Sequence, residues 1–348
     1  IPSVKVIPAG NNEMQAINEV GRTRHPLMAI PTKTNDPDWR INTFIDSWGE
    51  AKIPTDNDTK VWYGNLPHPF FNPGKLWPPE CPIVLQLEPN NVSKIFYSND
   101  GHTPILTIVD IAIIDTVLMV DSGISTMSAD SMIKADKGWE MQFIKPSTQF
   151  FNLTNSTRWD FHSIIQGTWP ELIIIGFIPN NSRSESKART FKLMSKFPNI
   201  TKLQVFNGEQ EWPKKGGIQF RNMPDFRAQN MTGYHNDAQL KTMIDENKDI
   251  FEDLRSVLLP NRTEAYEMAW TAHHFFTCQC WIPISFEPYD RSAEVPNVVF
   301  PKETGDMRIT IELKHALTDA GDWSMVIMSF RKSEFGMKPP LWQLFGNF

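Results

Sequence analysis

Four residues in one short segment carry the side chains that bind transition metals: His273, His274, Cys278 and Cys280. Imidazole nitrogen and thiolate sulfur are the donors zinc takes in tetrahedral sites. The surrounding run, His273 to Ile284, is aromatic and reads as a strand. In a strand His274, Cys278 and Cys280 share one face and His273 turns away. Three in-line residues on one strand cannot wrap a tetrahedral ion without ligands from elsewhere. The segment therefore reads as alternating core and surface positions, and no metal is expected.

The carboxylates give a similar result. Asp36 with Asp38, and Asp56 with Asp58, could touch a hard cation, but loops carry such pairs for turn-making and solvation. Asp110 and Asp115 lie in an apolar run and could form a tuned acid–base pair. Their odd spacing puts them on opposite faces of a strand, so they read as strand-end or interface residues. The chain contains no G-x-x-x-x-G-K-S/T, no G-x-S-x-G and no H-E-x-x-H. No catalytic, cofactor-binding or metal-binding residue is assigned, and the chain is not read as an enzyme.

The elements that would position any such residues are strands, and one three-part strand pattern occurs twice. The second copy is the run at 273–284, the alternating Met307–Lys314, and the apolar Asp322–Phe330. The first is fainter: Val61–Leu66, Cys81–Glu88 and Ile105–Leu118. Two strand trios predict two β domains of one kind. Further strands are expected at Trp139–Ile144 and Gln149–Leu153 around Pro146. Glu171–Ile178 reads as an apolar strand buried on both faces, and Ile200–Phe206 runs into the hairpin signal Asn207-Gly208. One helix interrupts them. Asn236 or Asp237 can cap it, Leu240, Met243, Ile244, Ile250, Phe251, Leu254 and Leu258 keep helical spacing, and Pro260 ends it. Its charged face reads as solvated.

Composition agrees with a β protein. The chain has 348 residues, 40% of them hydrophobic, with 12 Trp and 23 Phe, which is enough for a substantial core. Its 27 Pro and 18 Gly suit many turns between short strands. The net charge of -6 is spread without a basic block, so a dedicated nucleic-acid surface is not expected. Three cysteines make no disulfide framework and read as reduced, buried thiols of an intracellular protein. Against that, Asn57, Asn91, Asn152, Asn155, Asn180, Asn199, Asn230 and Asn261 each begin an N-x-S/T triplet, as a secreted glycoprotein would. An Asn- and Thr-rich β surface also produces such triplets.

No apolar run reaches the roughly 18–20 residues of a membrane span. The opening at Ile1 is not a signal peptide, so an upstream part is expected to have been removed or left out. Residues 1 to about 60 read as connections with one or two short elements. A small polar connector at Asp121–Asp130 places a domain boundary near residue 135.

The order of these segments resembles the double-jelly-roll major capsid proteins of Polintons (Mavericks), adintoviruses and virophages. The matching segments of the first jelly roll are 61–71, 81–88 and 105–120. The second is matched by Gln149–Leu153, by Gly167-Thr168-Trp169-Pro170 leading into Glu171–Phe177, and by Leu203–Gly208 with Pro213. It finishes with 307–314 and 322–330. The resemblance spans roughly residues 60 to 335, and extends upstream as far as Asn18–Arg22. Two departures stand out. The early strands of the first jelly roll have no counterpart in residues 1–60, and the polar loop Asn180–Ser186 replaces a Gly-containing turn.

The resemblance implies an all-β double jelly roll with an incomplete first unit, and one inserted helix near 237–258. Residues 1–135 would supply the connector and closing strands of the first jelly roll, and 136–348 the second jelly roll with a C-terminal tail. It implies a structural protein of the virion, assembled in the host nucleus or cytoplasm. Its partners would be two further copies in a trimer, neighbouring capsomers, and penton and minor or cement proteins, with no sequence-specific nucleic-acid contact. Some of Trp39, Phe44, Trp48, Phe70, Phe71, Trp77, Trp212, Phe335, Trp342 and Phe345, outside the expected strands, would then meet neighbours, the alternative being that long loops fold over their own sandwich and bury these rings within one chain. The C-terminal Leu341–Phe345 and Phe348 would be a tether, or would tuck back over their own sheet. Two other classes compete: a secreted β-sandwich glycoprotein that binds a ligand or receptor, and a carbohydrate-active β-sandwich enzyme using tryptophans as sugar platforms.

Overall fold

The computed structural model describes residues 3–8, 15–18, 83–88, 139–180, 195–212, 216–223, 237–258, 270–277, 279–286 and 305–337. Near the N-terminus, β1 (Ser3–Pro8), β2 (Gln15–Asn18) and β3 (Ile83–Glu88) form an antiparallel sheet in the order β2-β1-β3. Residues 1–60 thus supply two short paired strands, in keeping with the one or two short elements expected there. Their runs are four and six residues long, too short for alternation to stand out from a Pro- and Asn-rich background. Of the first strand trio, β3 falls within 81–88. The segments 61–71 and 105–120 lie outside the described residues.

From Trp139 the chain builds a sandwich. Its strands are β4 (Trp139–Asn152), β5 (Arg158–Phe161), β6 (Leu172–Pro179), β7 (Ile200–Asn207), β8 (Gln210–Trp212) and a short β9 (Ile218–Gln219). Three helices follow: α1 (Asp237–Glu246), α2 (Lys248–Leu258) and α3 (Ala272–Thr277). The strands β10 (Trp281–Ser285), β11 (Met307–Leu313) and β12 (Trp323–Met337) complete it. One sheet runs β10-β6-β12-β4 and the other β5-β11-β7-β8, with β9 added beside β7.

This order is that of a long hairpin folded over on itself. Leaving out β9, first pairs with last (β4 with β12), second with seventh (β5 with β11), third with sixth (β6 with β10) and fourth with fifth (β7 with β8). Successive strands alternate between sheets until the central hairpin. That is the jelly-roll topology. The all-β expectation holds, and so do the four strands expected at 171–178, 200–206, 307–314 and 322–330.

Sequence chemistry accounts for the details. β4 runs unbroken through Pro146, which has no N–H to donate; among the described residues β4 is the edge strand of its sheet, where a proline is tolerated. β6 lies between β10 and β12, and Ile173, Ile174, Ile175, Phe177 and Ile178 are all buried. The β7–β8 turn closes with Asn207 opposite Gln210, so its two loop residues are Gly208 and Glu209. Gly208 takes φ +58°, the left-handed start that a two-residue hairpin of the Gly-X kind needs. The Asn-Gly signal marks the right hairpin, with the turn displaced by one residue.

The helical region corrects two expectations. The single helix over 237–258 is a pair, broken at Asn247. Asn247 sits on the apolar stripe between Met243 and Phe251 and is fully buried. Its side-chain amide donates to Met243 O at 2.8 Å and Arg221 O at 3.0 Å, and its oxygen accepts from Arg221 N at 2.7 Å. A buried amide satisfied this way ties the helices to the exit of β9. The second correction is α3, which replaces the first half of the expected strand at 273–284. Thr271 starts it: its carbonyl accepts from Phe275 N and its hydroxyl from His274 N. The turn points Phe275 and Phe276 into an aromatic cluster with Phe197, Phe220, Phe251 and Trp270, whose ring centroids lie 4.9–6.2 Å apart. The aromatic residues between β9 and β10 thus pack, through Phe197, into the same core as the sandwich.

Candidate functional site

The three described candidates among the four metal ligands occupy separate environments. His273 is exposed on α3, His274 is half-buried with its ring 6.2 Å from that of His273, and Cys280 is fully buried beyond the helix. Cys278 lies outside the described residues. The same-face argument fails because His273–Thr277 is helical. Among the described residues no three His, Cys, Asp or Glu side chains come together as a metal group would require. Asp36, Asp38, Asp56, Asp58, Asp110 and Asp115 lie outside the described residues.

Cys280 has a structural neighbour. Ser195 accepts a hydrogen bond from Phe177 N at 2.7 Å and donates to Cys280 O, while Cys280 N donates to Ser195 O. This clasp closes the end of β6 against the start of β10. Gly176 lies beneath it: a Cβ there would be 2.3 Å from the Trp281 ring and 3.0 Å from Ser195 Oγ. The glycine is required for that close approach.

The outward face of the β5-β11-β7-β8 sheet carries a polar network. Arg158 donates twice to Asp160, at 2.8 and 3.2 Å, and Thr310 donates to the same carboxylate at 2.7 Å. The Arg158 hydrogen bond, with help from Thr310, holds the Asp160 carboxyl below the usual carboxylate range. Beside it Gln204 donates to Glu211, whose other oxygen accepts from Gly216 N at 2.6 Å, and the Arg308 guanidinium lies 4.3 Å from the Phe206 ring centre. Arg158 and Asp160 are neighbours along β5 and the other partners are cross-strand or turn neighbours, so the network fastens the sheet rather than framing a cleft.

An open groove at the helix pair is lined by Arg221, Asp245, Glu246, Lys248, Asp249 and Glu252. Its one ion pair among the described residues, Arg221 with Asp249 at 3.0 Å, joins side chains that are both more than half exposed. Such a pair contributes little. The α1–α2 charged face is a solvated face, as its pattern implied.

The sequons divide by position. Asn199 is 2% exposed with φ +56° at the entry to β7, where asparagine's tolerance of the left-handed region explains its presence. Asn180 donates its amide to Gly321 O at 2.9 Å and accepts from Ser324. Asn152 and Asn155 are exposed. Asn57, Asn91, Asn230 and Asn261 lie outside the described residues. Of the aromatic residues expected to meet neighbours, Trp212 is half-buried in its own sandwich, with its ring 5.7 Å from that of Phe286. Phe335 belongs to β12 rather than a loop. The other eight, and the C-terminal tail, lie outside the described residues.

No family model and no curated protein matches the chain. Among solved structures it is similar to PBCV-1 VP54 as fitted into a cryo-EM reconstruction of the virophage Sputnik. That match has a TM-score of 0.47 and 9% identity, over 97% of this chain and 81% of the other. It is also similar to a chain of the Sputnik virophage solved by cryo-EM, with a TM-score of 0.44 and 10% identity over 97% of this chain and 74% of the other. The jelly-roll assignment stands on the strand pairings of this chain alone.

Proposed function

We propose that this chain is a structural major capsid protein of the double-jelly-roll type. In this reading residues 136–348 form the second jelly roll and residues 1–135 belong to the first. Three copies make a pseudo-hexagonal tile, and tiles close an icosahedral shell with penton and minor proteins. The observation that carries the reading is the topology: a full eight-strand jelly roll begins at Trp139, and a separate antiparallel sheet precedes it in sequence. In the jelly roll, β12 is flanked by β4 and β6. Both of its edges are taken, which supports a separate place for the N-terminal strands.

The physics of a tile suits this build. A sandwich with both sheets apolar inside is rigid, and its loops can vary without touching the core. The polar investment here goes into fastening: the Ser195 clasp, the Asp160 network and the Asn247 tie all join elements of the sandwich to one another. The glycoprotein alternative is weakened at two positions, since Asn199 is buried and the Asn180 amide is engaged.

Light scattering at micromolar concentration tests the proposal. The expected result is a species of three times 40.0 kDa, burying well over the roughly 2,000 Å² at which obligate interfaces begin. A monodisperse, glycosylated monomer would overturn it.

A further inference from the structure

The two sheets of the sandwich differ on their outward faces. The Trp159 ring of β5 lies 6.2 Å from that of Phe177, so Phe177 and, by alternation, Ile175 and Ile173 point between the sheets. Ile174 and Ile178 therefore point outward. Register puts Met328 beside Ile174, Val326 and Trp281 beside Gly176, and Phe330 beside Leu172 on that same face. On the other sheet the outward side chains of Arg158, Asp160, Lys202, Arg308 and Glu312 are exposed or half-buried. Here Ile174, Ile178, Trp281, Val326, Met328 and Phe330 are only 0–6% exposed.

The sequence carries the same contrast. A strand with one face in water alternates, and a strand buried on both faces reads as an unbroken apolar run. Leu172–Ile175 and Met325–Met328 are unbroken. Across β10, β6 and β12 the outward face measures roughly 14 by 23 Å at ordinary strand and residue spacings. That is as large as the apolar patches a monomer leaves in water. The exposures are those of one chain by itself, so the cover belongs to this chain and not to a second copy.

Two observations identify the covering segment. The first is position: the Cα trace of β2, in the N-terminal part, comes within 8 Å of β4 of this same sheet. At the opposite side of the sheet α2 approaches β10, but it turns Phe251 toward Trp270 and Phe275, into the inter-sheet core. The second is size. Residues 338–348, after β12, would make one extended strand about 5 Å wide, a third of the width to be covered. Residues 1–138 already include a three-stranded sheet, which matches that width.

We propose that the outward face of the β10-β6-β12-β4 sheet is the docking surface for the N-terminal part of the same chain, residues 1–138. This sheet is then the middle layer of the molecule, with apolar contact on both sides. The inference does not depend on the capsid reading, since it holds whatever the fold of residues 1–138.

Photo-methionine, a diazirine analogue of nearly the same shape, is incorporated in place of Met throughout the full chain. After irradiation, links are mapped by mass spectrometry in the species of one-chain mass. Met328 reports the outward face, and Met325, opposite Phe177 on the same strand, is the internal control whose links fall within 139–337. The expected result is that position 328 links to residues 1–138. Links from 328 to 338–348 or to segments of 180–304, links only between two chains, or none while 325 reacts would each overturn the proposal. Phe330→p-benzoylphenylalanine, at the rim of the face, repeats the test should methionine replacement disturb folding, and is read in the same way.

Discussion

Replacing Asn247 with alanine removes three hydrogen bonds from a fully buried site, at 2.7, 2.8 and 3.0 Å. Each intramolecular bond contributes about 1 kcal/mol net, and a donor or acceptor left unsatisfied costs about 1–3 kcal/mol. The Met243 carbonyl keeps a partner in Asn247 N, while the Arg221 N–H and C=O lose theirs. The expected loss is about 3 kcal/mol, which for a unit of some 200 residues lowers Tm by roughly 6–12 °C. Asn247→Asp should be worse. It keeps an acceptor for Arg221 N but buries a carboxylate against the Met243 and Arg221 carbonyls. Ser256→Ala, which removes one exposed bond to Asp253 O, is the control and should stay within about 0.5 kcal/mol. Thermal unfolding followed by circular dichroism reads all three. If Asn247→Ala melted within about 1 °C of the parent, the amide would not be holding the helix pair to β9.

Three further outcomes follow from the same geometry. Gly176→Ala places a methyl 2.3 Å from the Trp281 ring in a strand flanked on both sides, and should cost about 2–3 kcal/mol by chemical denaturation. Asp160 titrates below its unfolded value, so its contribution is present above about pH 4 and lost as pH falls through the lowered folded value. Asp160→Asn should therefore narrow the stability gap between pH 6 and pH 3, by a small amount given its exposure. If the protein is expressed through a secretory route, mass spectrometry should find Asn199 unmodified, because its side chain is inside the fold.

The residues explain which elements are legible. β6, β7, β11 and β12 announce themselves because alternation or unbroken apolar character over seven or more residues is a strong signal. β5 is four residues long with only Trp159 buried, so nothing in its sequence distinguishes it from a loop. α3 reads as a strand because His273–Thr277 is rich in aromatic residues, which favour strands. Its helix depends on the Thr271 cap and on the aromatic cluster that receives Phe275 and Phe276. The break at Asn247 shows only as a polar residue on an apolar stripe, and its partner Arg221 is 26 residues away. The clasp at Ser195 joins residues separated by 18 and 85 positions, which no local pattern encodes.

Electron microscopy of the purified protein tests the central claim most directly. The account predicts particles with pseudo-hexagonal outline, each built from three copies with two sandwiches per copy, or closed shells of such particles. A field of single-sandwich monomers, unchanged by raising the concentration, would contradict it.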